Sequence, residues 1–559
     1  MEGPRPLVPA PLARGANGAV VAPHHLAGAA GLEILRAGGS AVDAAVATNA
    51  VLAVVFGEAC GLGGDAFWLI WDEASLAQAA LNGSGRAAAA ADPAALRARG
   101  LATLPHRGPL TITVPGAVRS WADAHARFGR LPWADLLAPA IRLAAGGFPA
   151  DEHFVRAVEA SAPVFARELG DGARGWSVTY RPLGRPWRIG ERVRLPALAA
   201  TLERLATAGA DDFYAGSLGE RQAAGLAAAG SPISAVDLAA HASTWTAPLA
   251  LDYRGARATT HPPNSSGVVA LEVLNILRAL EPPGRAAFAP ADGGATAGAD
   301  ARWVHLGIEA VKRALADRDA HLSDPAFVEV PVARLLDPVY GEELARGIDP
   351  VRASVPPASR APKGGGTIWL GVVDADGSAV SLVESNYAGF GSGVVDPATG
   401  IAYQNRGSYF SLDPDHPNVL APNKRTLHTL LPGMLFRDGR PWVVHGSMGG
   451  DAQPAIYAQV VSALVDGAVD VATAVAAPRW SPGPPADFAP PDQVAIEPRF
   501  RGGLLEELAG MGHRLDVVAP FDGGLGHAHA IELVDGGPAA GGTLVAATDP
   551  RSAGLPAAW

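Results

Sequence analysis

From residue 368 to 373 the chain reads Ile-Trp-Leu-Gly-Val-Val, apolar at nearly every position. That pattern predicts a strand buried on both faces. Residues 378–385 form a second strand-like run. Between them Ala375-Asp376-Gly377 makes a three-residue loop with glycine in last place, where a left-handed residue is required. This loop pairs Asp374 with Ser378, and counting outward sets Thr367 opposite Ser385. A two-residue Asp-Gly turn would set Thr367 opposite Asn386 instead. Either register gives Thr367 a polar partner across about 5 Å of strand spacing.

The pattern elsewhere is coarser. Residues 20–55 are Ala-rich and apolar, interrupted at Gly38-Gly39, and read as helix. Glu58-Ala-Cys-Gly-Leu-Gly-Gly-Asp65 is a Gly-rich loop leading into a strand at 66–71. Residues 111–116 predict a short strand, and 117 to about 280 predict helices broken by Pro and Gly. Residues 281–299 read as an exposed loop, 303–320 as an amphipathic helix and 352–366 as a polar linker. Beyond Thr367 the character turns to strands and turns. Pro441-Trp-Val-Val-His445 predicts a strand opening onto Gly446-Ser-Met-Gly-Gly450, with a helix over 452–465.

Composition narrows the function. The chain has 559 residues, which by length alone suggests three or four domains. Hydrophobic content is 48%, with 67 Gly and 48 Pro, enough for a large core with many turns. The formal net charge of −11 argues against a nucleic-acid partner. No uninterrupted apolar stretch predicts a membrane span, and the first residues lack a basic segment followed by an apolar one. The expectation is a soluble, cytoplasmic protein. The single Cys60 excludes an internal disulfide and a thiolate metal cluster, and reads as a small buried residue. His24-His25 has no second ligand pair at useful spacing, so no metal is expected. The Gly-rich loop at 58–65 lacks the Lys-Ser/Thr of a phosphate-binding loop.

Two stretches carry chemistry. Three glycines precede Thr367, and the linker ends there. Attack of the Thr367 hydroxyl on the Gly366 carbonyl, followed by ester hydrolysis, would free Thr367 as a new N-terminus. Its amine, with an ordinary pKa of about 7.7–8.0, can then act as base for its own hydroxyl near neutral pH. The same stretch also reads as a plain hairpin after a linker. The strand, Gly-Gly turn and helix start around Gly449-Gly450 present backbone N–H groups that can hold a developing oxyanion. They equally suit a tight strand-to-helix turn.

Taken together, Val21-Ala-Pro-His, Gly31-Leu-Glu-Ile-Leu-Arg-Ala-Gly-Gly-Ser, Val114-Pro-Gly, Thr367 with Val372-Val-Asp, Phe390-Gly-Ser-Gly, Pro422-Asn-Lys-Arg, Gly446-Ser-Met-Gly-Gly and Asp549-Pro-Arg-Ser resemble the gamma-glutamyltransferases. These are N-terminal-nucleophile hydrolases that cut themselves into a large and a small subunit. The motifs run in family order from residue 20 to 552. The resemblance implies an α/β (α+β) fold, a four-layer αββα sandwich, with cleavage between Gly366 and Thr367. Residues 1–366 would form the large subunit and 367–559 the small one, together one fold, with room for a dimer of such heterodimers. It makes Thr367 nucleophile and base, puts the Ser385 hydroxyl in place of the family's second threonine, and gives the oxyanion hole to Gly449 and Gly450. No cofactor is implied.

The substrate pocket departs from the family. Where the transferases hold a glutamyl α-amino group, this chain has Tyr387, Arg406 and Tyr409. The Ser-Ser pair that helps bind the α-carboxylate is His428-Thr429, and the family's arginine aligns with Ser84, which leaves either Arg86 or another residue to bind the carboxylate. The replacement set, which includes Asn405 beside Arg406, is similar to a transferase-like branch that includes oxamate amidohydrolase. Arg406 reads as a two-pronged clamp for a carboxylate, or as a structural ion pair. His428 reads as a pocket wall. The expected partner is a small anionic amide. True glutathione hydrolysis with γ-glutamyl transfer, and an uncut homologue that only binds, remain as alternatives.

Overall fold

In the computed structural model residues 10–288, 299–355, 366–483 and 493–559 are described. Most of the linker at 352–366, and the middle of the loop at 281–299, lie outside them.

The apolar run and its turn form the hairpin that the pattern predicts. Strand Gly366–Val373 pairs antiparallel with Ala379–Tyr387, and Gly377 takes a φ of +91° in the turn. Ile368 faces Glu384, and the Asp374 N–H donates to the Ser378 carbonyl, so the three-residue loop sets the register. The register slips by one residue between Gly366 and Ile368, leaving Thr367 on a bulge.

Alternation along this hairpin assigns its two faces. Ile368, Leu370, Val372, Val380 and Leu382 join one apolar cluster with the helices His25–Arg36 and Ala41–Val55. Trp369, Val373, Ala379 and Val383 point the other way, into a cluster shared with Leu430, Met434, Val444, Ile531 and Leu544. That second cluster is the layer between two seven-stranded sheets. One sheet runs from Ala557–Ala558 through Ala19–Val21, Gly366–Val373, Ala379–Tyr387, Asp65–Asp72 and Ala77–Gly83 to Thr244–Thr246. The other holds Leu12–Gly15, Thr543–Ala547, Ala528–Val534, Arg440–Ser447, Gly433–Arg437, Ala256–Thr260 and Leu249–Tyr253. A third cluster, built on the helices Gly267–Arg278, Ala301–His321 and Gln453–Val465, covers the outer face of this second sheet. Helix, sheet, sheet and helix thus form four layers, and each sheet draws strands from both sides of Thr367. Interleaving of this kind joins what length alone would divide into three or four units.

Several local expectations need correction. Residues 20–55 are not helical from their start, since Ala19–Val21 is a strand inside the first sheet; the break at Gly38-Gly39 is as expected, with Ser40 starting a second helix through a reciprocal cap with Asp43. Residues 111–116 form no strand. A short 3-10 turn covers Pro109–Thr111, and the extended chain beyond it is held at Val114 by the Arg86 carbonyl and at Thr113 by the Gln404 side chain. The stretch from 117 to 280 is not helical throughout, since Thr244–Thr246, Leu249–Tyr253 and Ala256–Thr260 are strands. Their Ala and Leu content favours helix locally, but pairing with the sheets overrides that preference.

Candidate active site

Thr367 and Ser385 occupy odd positions on the central hairpin, so both face the layer between the sheets at its open end. The Thr367 Oγ1 lies 2.9 Å from the Ser385 Oγ. The Ser385 hydroxyl donates to the Gly366 carbonyl at 2.7 Å. With that proton committed, the Thr367 hydroxyl is the donor to Ser385. The Ser385 oxygen also accepts the Tyr387 N–H at 2.7 Å and the Arg406 Nη2 at 3.4 Å. Thr367 and Ser385 are each 1% exposed. The bulge is what brings the Thr367 hydroxyl, the Gly366 carbonyl and the Ser385 hydroxyl into one group.

The chain reverses beyond Ser385. Tyr387 takes a φ of +74°, a strained value for a residue with a side chain, and its ring meets that of Tyr409 at 4.8 Å. The Arg406 guanidinium lies over both rings, 4.5 Å from the Tyr387 centroid and 5.5 Å from that of Tyr409. Its Nη1 donates to the Thr429 Oγ1 at 3.0 Å. Among the described residues the Arg406 Nε has no acceptor, and no carboxylate lies within ion-pair distance of this buried cation. Burial pulls its pKa down, while Tyr409, Tyr387, Asp65 and Asp451 act in the opposite direction. The Tyr409 hydroxyl donates to Asp451, which is also paired with Arg318.

His428 sits beneath this group. Its Nε2 lies 3.2 Å from the Asp65 Oδ2, and its backbone is held by Asn264 and Ser266. Burial, then Arg406 and His261, holds its pKa well below the ordinary value. Burial also raises Asp65 to about 7. The Leu430 N–H donates to the other ring nitrogen at 3.4 Å, which leaves Nε2 as the donor to Asp65, and burial favours the neutral ring.

The strand Arg440–Ser447 ends against the hairpin. A Cβ on Gly446 would come within 2.1 Å of the Trp369 indole nitrogen, so only glycine allows the two sheets to meet there. Gly449, at a φ of 150°, and Gly450, at 56°, then turn the chain into helix Gln453–Val465. Among the described residues neither the Gly449 nor the Gly450 N–H donates to a protein acceptor. Those two amides are free to bind an incoming oxygen.

Two of the expected substrate contacts are placed differently. Asn405 is spent on the backbone: its Oδ1 accepts the Ala388 N–H at 3.0 Å and its Nδ2 donates to the His106 carbonyl at 2.7 Å. It braces the turn after Ser385. Arg86 is held by Asp324 at 3.4 Å and by the Asn423 carbonyl at 3.0 Å, outside the hydrogen-bonded group around Thr367. The deeper cation on that side is Arg425, whose Nε donates to the Ser84 carbonyl at 2.9 Å.

Other groups were not singled out by the pattern. Glu384 points to the helix side, where it accepts from Asn49 and from the Gly61 N–H, and burial raises its pKa to about 8. The loop at 58–65 supports the hairpin: the Glu58 and Ala59 carbonyls receive the Phe390 and Asn386 N–H groups. Motif residues in that loop were the available signal. Their partners lie more than 300 positions away, so local pattern could not supply them. His305, Glu309 and His513 form the one cluster of metal-binding side chains among the described residues, and there Glu309 is already neutralised by Lys312 and Arg313. Among the described residues no helix is long and apolar enough to cross a membrane.

Comparison with known proteins fits this geometry. A family model described as Gamma-glutamyltranspeptidase matches residues 27–559. The chain is 41% identical to an oxamate amidohydrolase proenzyme of Klebsiella pneumoniae, over 97% of this chain and 98% of that one. It is 38% identical to the glutathione hydrolase-like YwrD proenzyme of Bacillus subtilis, over 96% and 97%. The crystal structure of a cephalosporin acylase from Bacillus halodurans superposes with a TM-score of 0.89 at 36% identity, covering 100% of this chain and 98% of that one. The chain is therefore an enzyme of the gamma-glutamyltranspeptidase family, with the N-terminal-nucleophile hydrolase fold.

Proposed function

We propose that this enzyme cuts itself between Gly366 and Thr367 and then hydrolyses a small anionic amide through an acyl-enzyme on Thr367. In the uncut chain the Ser385 hydroxyl already donates to the Gly366 carbonyl. That bond polarises the carbonyl that Thr367 Oγ1 attacks. The Thr367 nitrogen leaves the carbonyl carbon as the ester forms, and water then releases the Gly366 carboxylate and a free Thr367 amine. The products are a large subunit ending at Gly366 and a small subunit beginning at Thr367.

In turnover the freed amine takes the Thr367 hydroxyl proton as Oγ1 bonds to the substrate carbonyl carbon. The Gly449 and Gly450 N–H groups hold the oxyanion. Collapse expels ammonia or an amine, which leaves with the transferred proton, and water hydrolyses the ester. Hydrolysis needs no further residue type than these.

The observation that carries the substrate reading is Arg406, a buried cation with no carboxylate partner among the described residues. A substrate carboxylate would satisfy it. The shared contact with Ser385 keeps the Arg406 Nη2 and the Thr367 Oγ1 no more than about 6 Å apart, two hydrogen-bond lengths. That ceiling favours a carboxylate close to the amide carbonyl over one at the far end of a longer acyl group. The five-carbon γ-glutamyl group is longer. Tyr387 and Tyr409 fill the space where an ammonium partner would be needed, and neither carries the charge to bind one. Oxamate has the required length, and the Klebsiella pneumoniae relative is named for it.

Parallel assays test the reading: ammonia release from oxamate against p-nitroaniline release from γ-glutamyl-p-nitroanilide. Oxamate turnover supports it. Activity on the γ-glutamyl compound alone would transfer the site to glutathione-type chemistry, as the name of the Bacillus subtilis relative suggests.

A further inference from the structure

Asp549-Pro-Arg-Ser is a motif that the chemistry above leaves unused. It lies in a buried charge network. Asp549 pairs with Arg479 at 2.6 Å and with Arg551 at 3.0 Å, and Arg551 pairs in turn with Glu497 at 2.6 Å. Asp549 and Glu497 are fully buried, and Arg479 is 2% exposed. So many buried charges stabilise a fold poorly relative to an apolar core, which raises the question of what they position.

The contacts lead to the Gly449–Gly450 turn. The Arg479 Nη1 donates to the Gly526 carbonyl at 2.6 Å, and the Asp549 Oδ2 accepts the Ala528 N–H at 2.7 Å. The segment between them is thus held at both ends by one ion pair. Gly526 has a φ of +84°, and a Cβ there would come within 2.3 Å of the Met448 carbonyl oxygen. The Met448 N–H donates to the His527 carbonyl at 3.0 Å. Gly526 also faces Gly449, whose added Cβ would lie 3.7 Å from the Gly526 Cα. The backbone that precedes the two free amides is therefore pressed against a segment that Arg479 and Asp549 fix.

We propose that the Arg479–Asp549 pair is a positioning device for the oxyanion-binding amides, acting through Gly526, His527 and Met448. The inference rests on the reading of Gly449 and Gly450 as oxyanion donors. An oxyanion forms only as the substrate reacts, so loosening the donors lowers kcat while leaving KM nearly unchanged. Glu497 supplies the comparison. It is an equally buried carboxylate in the same network, but its side chain pairs with Arg551 and Arg499, and its one direct tie to Arg479 is a backbone N–H to the Arg479 carbonyl, which Glu497→Gln leaves in place.

The experiment compares Asp549→Asn, Arg479→Lys and Glu497→Gln with the wild type on oxamate, with rates normalised to cleaved chain on a gel and melting midpoints recorded. The expected result is a kcat loss of about 10-fold or more for Asp549→Asn and Arg479→Lys, with KM within about 2-fold. Glu497→Gln, even if it melts earlier, should keep kcat within about 3-fold. Arg479→Lys retains the charge and serves should Asp549→Asn not fold. Equal kcat losses in Glu497→Gln, or wild-type kcat in both other variants, overturn the inference while wild-type turnover sustains the reading beneath it. A wild type without turnover on any amide overturns both.

Discussion

The Ser385 hydroxyl donates to the Gly366 carbonyl at 2.7 Å while its oxygen lies 2.9 Å from the Thr367 Oγ1. One side chain thus touches both the attacking oxygen and the carbonyl under attack. Removing it should slow two separate reactions. Ser385→Ala is expected to cleave slowly, and its cleaved form to turn over about 10–100-fold more slowly, the cost of one buried hydrogen bond to a reacting group. Band intensities against time on a denaturing gel, followed by kinetics on the cleaved material, check this. Cleavage at the wild-type rate would remove Ser385 from the first reaction.

Arg406 carries the substrate claim. Arg406→Met should raise KM for oxamate by about 10–100-fold, the worth of charge-assisted hydrogen bonds. The structure gives the buried guanidinium no carboxylate among the described residues, so the same change should not lower the melting midpoint. Steady-state kinetics and calorimetry read the two effects. A large loss of stability with unchanged KM would make Arg406 a structural residue.

Glu384 predicts a pH dependence of stability. Burial raises its pKa to about 8, from 4.5. Between those values the folded chain keeps a proton that the unfolded chain releases, so stability is greatest below about 4.5 and falls as pH rises towards 8. Asp65, raised to about 7, adds to the same slope at lower pH. Urea unfolding from pH 5 to 9 should show that decline in the wild type and a shallower one in Glu384→Gln. Identical slopes would mean that Glu384 is ionised in the fold.

The hairpin was legible because two local signals agree. An apolar run marks the strand, and Ala375-Asp376-Gly377 narrows the register to two, of which the three-residue loop that forms is the one that brings Thr367 to Ser385. The bulge at Thr367 was not legible, since it depends on the loop at 58–65 packing behind Gly366, where an added Cβ would meet the Glu58 carbonyl at 2.8 Å. The same reason hid Asp65, Glu384 and Asp451, whose partners come from helices and loops far away in sequence. Arg86 and Asn405 show the converse. Each lies near the right motif in sequence, yet Asp324 and the His106 carbonyl engage them first. The strands at 244–260 were misread because Ala, Leu and Thr take their conformation from the sheet they join.

The central claim is a broken peptide bond that exposes the Thr367 amine. N-terminal sequencing of the small subunit from purified, active enzyme tests it most directly. The account predicts a chain beginning Thr-Ile-Trp-Leu, and one uncut band for Thr367→Ala. Active enzyme that stays a single full-length chain, or a small subunit that begins at any other residue, would contradict it.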